Sequence, residues 1–283
     1  MGVFRVAEVH DDDPHEFHIL EPASSDWLQE LANQYRDLRT RFDLQPGEVT
    51  LDGITVLGTE ALRRRIVEAA IPARRGGNFD VLRSDLGEVA LAVHGEERYG
   101  YRYGYRSVRD RETVQLPGRG IDQIGVASTE DPKRILLMLG EAKVSSERKS
   151  PPSVVDASDD CLRAQHLHHI ANYRETANKV LLAARRCTDP ETQQLLLLAS
   201  AFLQELRLEH LVLCCHSFVA RPSLLATSSD YGTFRSAPAD YTPSFVRFTI
   251  LRLPEDDVEA MIDKFREYSL GPIGEQIEPQ GEV

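Results

Sequence analysis

The sequence predicts an α/β protein, with a mixed central sheet flanked by helices and an α-rich N-terminal extension. Two apolar runs, Ile135-Leu-Leu-Met-Leu139 and Leu211-Val-Leu-Cys-Cys215, have the composition of strands buried on both faces. Stretches with apolar residues three and four apart flank them, as amphipathic helices do. The two kinds of segment alternate along the chain, which is the pattern of a layered α/β fold. A chain of 283 residues that is 41% apolar can bury a substantial core. The reading divides it into residues 1–80, packed on the core, and residues 81–283, the core domain.

Residues 1–22 are acidic, lack periodicity and promise no more than a short edge strand. Asp26 is placed to cap a helix in which Trp27, Leu28, Leu31, Tyr35, Leu38 and Phe42 form one apolar face, and Gln45-Pro46-Gly47 stops it. Residues 49–58 read as a short strand or turn, and Thr59 opens a basic helix that runs to Ala70 and closes before Pro72. Ser84-Asp85 has N-cap chemistry for the next helix, putting Glu88 in its first turn or two. Arg-Tyr-Gly-Tyr then occurs twice over 98–105, so Tyr99, Tyr101, Tyr103 and Tyr105 recur at the strand period with all four rings on one side. Gly100 and Gly104 weaken that strand and leave a fraying loop equally open.

Residues 118–126 read as a turn entering a strand, Glu130-Asp131-Pro132-Lys133 as a hairpin loop, and 134–143 as a buried strand with a polar end. A polar loop spans 145–158. Asp159 and Asp160 lead a helix through Arg186, and Asp189 with Pro190 at the first helical position starts another, to about Arg207. A strand over 211–218, a Ser/Pro/Asp-rich excursion over 221–243, a strand over 245–253 and a helix over 255–270 complete the order.

Composition narrows the function classes. No apolar run approaches the roughly 20 residues that span a bilayer, and Met-Gly-Val-Phe-Arg followed by Asp11, Asp12 and Asp13 lacks a secretory h-region. The four cysteines show no C-x-x-C pair, so a cytoplasmic protein with reduced thiols is expected. A net charge of −12 argues against a nucleic-acid coat. Residues 98–119 nevertheless hold Arg98, Arg102, Arg106, Arg109, Arg111 and Arg119, a basic strip that fits a focused nucleic-acid site. There is no G-x-x-x-x-G-K-[ST], so the chain does not drive DNA unwinding itself.

The chemistry-bearing residues lie at 118–143. Glu141 and Lys143 end an apolar strand two residues apart and therefore share a face. Asp122 lies on the preceding strand, and the Asp-Pro hairpin makes the two strands antiparallel neighbours. Hydrolysis of a phosphodiester needs an activated water and stabilisation of developing charge, which Mg2+ held by one to three carboxylates supplies. Asp122 and Glu141 can share that metal, with the Ala142 carbonyl as a third ligand. Lys143 can orient the water or offset transition-state charge. Glu88 is placed to bind the metal or a metal-bound water. A Glu-x-Lys triplet is weak alone, and Glu147-Arg148-Lys149 is a second copy, but that one sits in a polar loop. Ending a buried strand in charges is costly unless they have a partner or a task.

The order of Glu88 on a helix, Gly120-Ile121-Asp122, then Leu139-Gly140-Glu141-Ala142-Lys143 resembles the PD-(D/E)xK nuclease superfamily. Within it, the Ser84-Asp-Leu-Gly-Glu88 segment and the Gly-x-Asp and Gly-Glu-x-Lys strands look like the HamA effector family of the Hachiman anti-phage system. The likeness covers roughly residues 60–220, and Gly120-Ile121 replaces the superfamily's leading proline. It implies a restriction-endonuclease-like core over 84–218: a helix, a three-stranded antiparallel sheet, a helix and a further strand. It also implies Mg2+ with Mn2+ as a substitute, DNA as substrate, a role as effector of a prokaryotic antiviral system, and control by a partner helicase.

Other readings stay open at this point. One is a catalytically silent subunit that docks on a helicase and senses DNA; another is a nuclease of restriction or repair type. The Tyr/Arg tandem reads equally as a single-strand stacking platform or as rings packed on the sheet. His166 and His169 stand one helical turn apart, but no further zinc ligand accompanies them. The resemblance allows Gln165 or His169 to face the active site, while surface histidines are the simpler expectation.

Overall fold

The computed structural model describes residues 2–40, 49–51, 54–75, 80–111, 113–116 and 120–271. Phe42, the expected stop at Gln45-Pro46-Gly47, the 118–119 turn with Arg119, and the acidic residues beyond 271 lie outside the described residues.

The first strands, β1 (Phe4–Val9) and β2 (Glu16–Pro22), pair antiparallel. They make the N-terminal region mixed rather than α-rich, because Phe17, Ile19 and Leu20 are buried in the central sheet. Helix α1 (Trp27–Arg39) buries Trp27, Leu28, Leu31, Ala32 and Tyr35, the face expected from their spacing. Asp26 occupies its N-cap position without bonding a helix amide; its carboxylate accepts from the Ser25 hydroxyl instead. A separate two-stranded sheet, β3 (Val49–Leu51) with β4 (Ile54–Leu57), precedes α2 (Thr59–Ala70).

Helix α3 (Val81–Tyr99) starts earlier than Ser84-Asp85. Its N-cap is Asp80, whose carboxylate accepts from the Leu82 amide at 2.9 Å and also pairs with Arg74. Glu88 therefore lies about two turns in, within a helix buried continuously from Leu86 to Gly95. Strand β5 (Arg102–Arg106), a short turn α4 (Ser107–Asp110), β6 (Gln123–Ser128) and β7 (Ile135–Val144) follow, and the three strands form an antiparallel meander.

After α5 (Ser153–Asp156), the single helix expected over 159–186 is two. Cys161 caps α6 (Leu162–Ala171), and Asn172, at φ −119° and ψ 57°, breaks the run before α7 (Tyr173–Arg186). Helix α8 (Pro190–Gln204) begins as expected, with Asp189 accepting from the Thr192 amide at 2.8 Å. Strand β8 (Leu211–Pro222), an excursion containing α9 (Thr233–Ser236), β9 (Phe245–Leu253) and α10 (Val258–Leu270) end the order.

The strands other than β3 and β4 form one seven-stranded mixed sheet in the order β1-β2-β9-β8-β7-β6-β5. The β7–β8, β8–β9 and β2–β9 pairs are parallel. Helices α1, α3 and α10 cover one face, with Leu86, Phe218, Leu251 and Phe265 among the residues between them. On the other face, α7 and α8 cover Ile124, Leu137 and Leu139, while the excursion packs on Phe17, Phe248 and Ile250. No helix among the described residues is long and apolar enough to cross a membrane.

The tyrosine tandem departs from period two. Tyr99 still belongs to α3, and the β5–β6 register shifts between Tyr103 and Tyr105. The shift turns Tyr105 toward the α7/α8 side, while Tyr101 and Tyr103 are buried beneath α3 with Ala92 and Met138. These two rings are core, not an exposed platform for bases.

Candidate active site

The site forms where β7 outruns β6. Their pairing ends at Gln123↔Gly140, so the Ala142 amide meets no strand on that side. The Asp122 carboxylate takes its place, Oδ2 accepting from Ala142 N at 2.9 Å. The N–H and C=O of a strand residue point to the same edge, so the Ala142 carbonyl faces this notch too. Gly120, at φ +90°, makes the bend that delivers Asp122 there, a conformation that costs glycine little.

Glu141 and Lys143 project from β7 to the face covered by α6. Glu141 is fully buried, and its Oε1 lies 2.8 Å from His169 Nε2. Its Oε2 is buried and reached by no N–H or hydroxyl among the described residues, while the Asp122 carboxyl stands within hydrogen-bonding reach of the Glu141 carboxyl. Lys143 is partly exposed, and its Nζ lies 3.2 Å from the exposed Asp160, which Gln165 holds at 2.8 Å.

Glu88 arrives from the opposite helical layer. Gly87 permits the approach: a Cβ there would sit 3.2 Å from Val144 and 3.6 Å from the Ala142 side chain. Ser107 joins Glu88 to the Asp122 strand, donating from Oγ to Glu88 Oε2 at 2.6 Å and from its amide to the Asp122 carbonyl at 2.8 Å. Gln123 donates to the Glu88 carbonyl as well.

The electrostatics follow from burial. Burial and the neighbouring Glu141 carboxyl push Asp122 well above the usual carboxylate range, against the Ala142 amide and Lys143. Burial raises Glu141 to about 8, with Lys143 opposing. Burial, Asp122 and Asp85 raise Glu88. Lys143 moves up, because Asp122 and Asp160 outweigh the desolvation that pulls it down. Burial, reinforced by Lys179 and His168, lowers His169 to about 3. Three carboxyls that resist ionisation beside one lysine are arranged to receive positive charge. No three His, Cys, Asp or Glu side chains among the described residues converge closely enough to hold a metal ion by themselves.

No protein-family model and no curated protein matches this chain.

The structure brings Asp122, Ala142, Glu141 and Lys143 together and sets Glu88 beside them. Sequence reasoning missed Ser107 and Asp160, which carry no local motif. The surface reading of the histidines is corrected: His166 and His169 are buried, and only His168 is exposed. The break at Asn172 ends α6 soon after His169 and directs this short helix onto β7.

The basic strip is also corrected. Arg102 pairs with Glu191, Arg106 with Glu96, Arg109 with Asp110 and Arg111 with Asp85. Glu191, Glu96 and Asp85 stand away from their arginines in sequence, and only Asp110 adjoins its own, so local reading shows little of this pairing. The Arg111–Asp85 pair is buried, and the Tyr35 hydroxyl donates to Asp85 Oδ2 at 2.6 Å. It ties α1 and α3 to the segment leading to Asp122. Arg111→Ala leaves Asp85 buried without its counter-charge, and we expect a loss of about 3–5 kcal/mol in urea denaturation; a loss below about 1 kcal/mol contradicts this role.

Proposed function

We propose that this chain is a divalent-cation-dependent phosphodiesterase acting on DNA, the effector of a prokaryotic antiviral system controlled by a partner helicase. The observation that carries the chemistry is the meeting of the Asp122 and Glu141 carboxyls beside the Ala142 carbonyl and Lys143, in surroundings that disfavour negative charge. The antiparallel β5-β6-β7 meander between α3 and a strand parallel to β7 agrees with the resemblance to the PD-(D/E)xK superfamily. Substrate, defence role, partner and cytoplasmic location rest on that resemblance and on composition.

The residues fit a hard cation. Carboxylate and carbonyl oxygens suit Mg2+ or Mn2+, and the orphaned Glu141 Oε2 is an atom such an ion satisfies. Asp122, Glu141 and the Ala142 carbonyl would hold it. When bound, the ion supplies Lewis acidity and a water of lowered pKa. The chain's own contribution is to hold the carboxylates rigid and to place the Lys143 ammonium where it orients a water or offsets phosphorane charge. Glu88, held by Ser107, anchors the strand that carries Asp122.

One observation favours a second reading, the catalytically silent helicase-docking subunit: no three His, Cys, Asp or Glu side chains among the described residues converge closely enough to hold a metal ion by themselves. Purified protein with its partner, incubated with single- and double-stranded DNA and Mg2+ or Mn2+, separates the two. We expect cleavage that chelation stops and Asp122→Ala abolishes. No cleavage under any of these conditions, or an Asp122→Ala variant that cuts at the wild-type rate, rejects the enzyme.

A further inference from the structure

Each carboxylate of the site has one oxygen committed to a protein donor. Asp122 Oδ2 accepts the Ala142 amide at 2.9 Å, and Glu141 Oε1 meets His169 Nε2 at 2.8 Å. The second contact is well enclosed: the side chains of His169 and Glu141 are 4% and 0% exposed. His169 Nδ1 has no hydrogen-bond partner among the described residues, so the ring's proton belongs on Nε2, where it meets the Glu141 carboxyl oxygen. The residue itself is held at the end of α6, since the Thr176 hydroxyl donates to its carbonyl at 2.8 Å across the Asn172 break.

This arrangement fixes the Glu141 rotamer and leaves Oε2, buried and reached by no N–H or hydroxyl among the described residues, as the oxygen open toward the Asp122 carboxyl and a shared ion. With Oε1 taken up by His169, Glu141 cannot bridge two ions through both of its oxygens. We propose that His169 is a positioning residue that confines Glu141 to a single open oxygen, and that the site so shaped takes one divalent cation. The inference rests on reading Asp122 and Glu141 as a cation site and deepens it by assigning stoichiometry and the residue that enforces it. His169 acts through Glu141, as hydrogen-bonding partners of metal-ligating carboxylates do.

The test titrates Mn2+ into the full chain by calorimetry, with thermal melting run on every variant. Wild type is expected to bind one Mn2+ per chain. His169→Ala removes the donor and weakens binding about 10- to 100-fold. His169→Gln retains an amide donor at similar reach and restores most of the affinity. His169→Met fills the volume without a donor and replaces the alanine variant if that one does not fold. Two ions per wild-type chain, or donorless variants that bind within about twofold of wild type, overturn the proposal. If Mn2+ binding behaves as expected and no polynucleotide is cut, the nuclease reading falls and the inference stands; wild type that binds no Mn2+ overturns both.

Discussion

Glu141→Gln will melt at a higher temperature than wild type and will cut nothing. Both effects have one origin. Glu141 is fully buried, and burial raises its pKa to about 8, so near neutral pH the metal-free fold keeps it protonated. The unfolded chain ionises the same group freely, which costs the fold on the order of 3 kcal/mol at pH 7. A group whose folded pKa is raised contributes most below its unfolded pKa and loses that contribution as pH climbs to the folded one. Glutamine is neutral at every pH, so the variant gains over wild type from about pH 5 upward, and its gain levels off above about pH 8. For a chain of this size we expect about 5 °C at pH 8 by scanning calorimetry. Cleavage falls by about 10^3-fold or more, since a neutral amide is a poor ligand for Mg2+. A variant that melts lower than wild type at pH 8, or that still cuts, contradicts this account of Glu141.

Acid will act through the buried histidines in the opposite sense. Burial holds His94 at about 3 and keeps His216 well below its ordinary value, with His18 and Arg247 also opposing a charge on His94. Beneath α3, the two rings approach to 6.2 Å among Tyr99, Tyr101 and Arg247. Their folded pKa values are depressed, so the unfolded state binds more protons and stability falls as pH drops below about 6.5. Each histidine removes about 2 kcal/mol between pH 7 and pH 5, against a total of roughly 5–15 kcal/mol. The site carboxyls oppose this loss in the metal-free protein, because their protonated forms favour the fold, until the unfolded chain also protonates its carboxylates near pH 4. We therefore expect a shallow stability profile from about pH 7 to pH 5 and a steep collapse below about pH 4.5. His94→Leu isolates the histidine part: its stability relative to wild type rises by about 2 kcal/mol between pH 7.5 and pH 5 in urea titrations. A difference independent of pH shows that His94 is not held neutral by the fold.

What the sequence made legible was local. The polar end of the β7 run, the Asp-Pro hairpin and the Asp189-Pro190 start of α8 are written in neighbouring residues, and the structure has them. The co-location of Asp122 and Glu141 followed from the hairpin alone. Features decided by distant partners were misread. Glu16-Phe-His-Ile-Leu20 lacks alternation because β2 is covered on both sides and pairs parallel with a strand at the other end of the chain. Ser84-Asp85 looked like a cap, but Asp80 caps and Asp85 serves Arg111. The tyrosines kept their spacing, yet a register shift at Gly104 redirected Tyr105. His169, read as a surface residue or as one the resemblance lets face the site, is carried by the fold to Glu141.

The pairing of β2 with β9 has a consequence for biosynthesis. Phe17, Ile19 and Leu20 leave the ribosome 231 residues before Phe248, Ile250 and Leu251, their partners in register. Until β9 is made, the nascent chain exposes an apolar strand whose docking edge does not yet exist. A truncated product lacking β9 keeps Asp122, Glu141 and Lys143 but loses the support of β8 on that flank. A chain released before β9 is therefore a substrate for chaperones and proteases, and the central sheet is completed only once β9 has emerged.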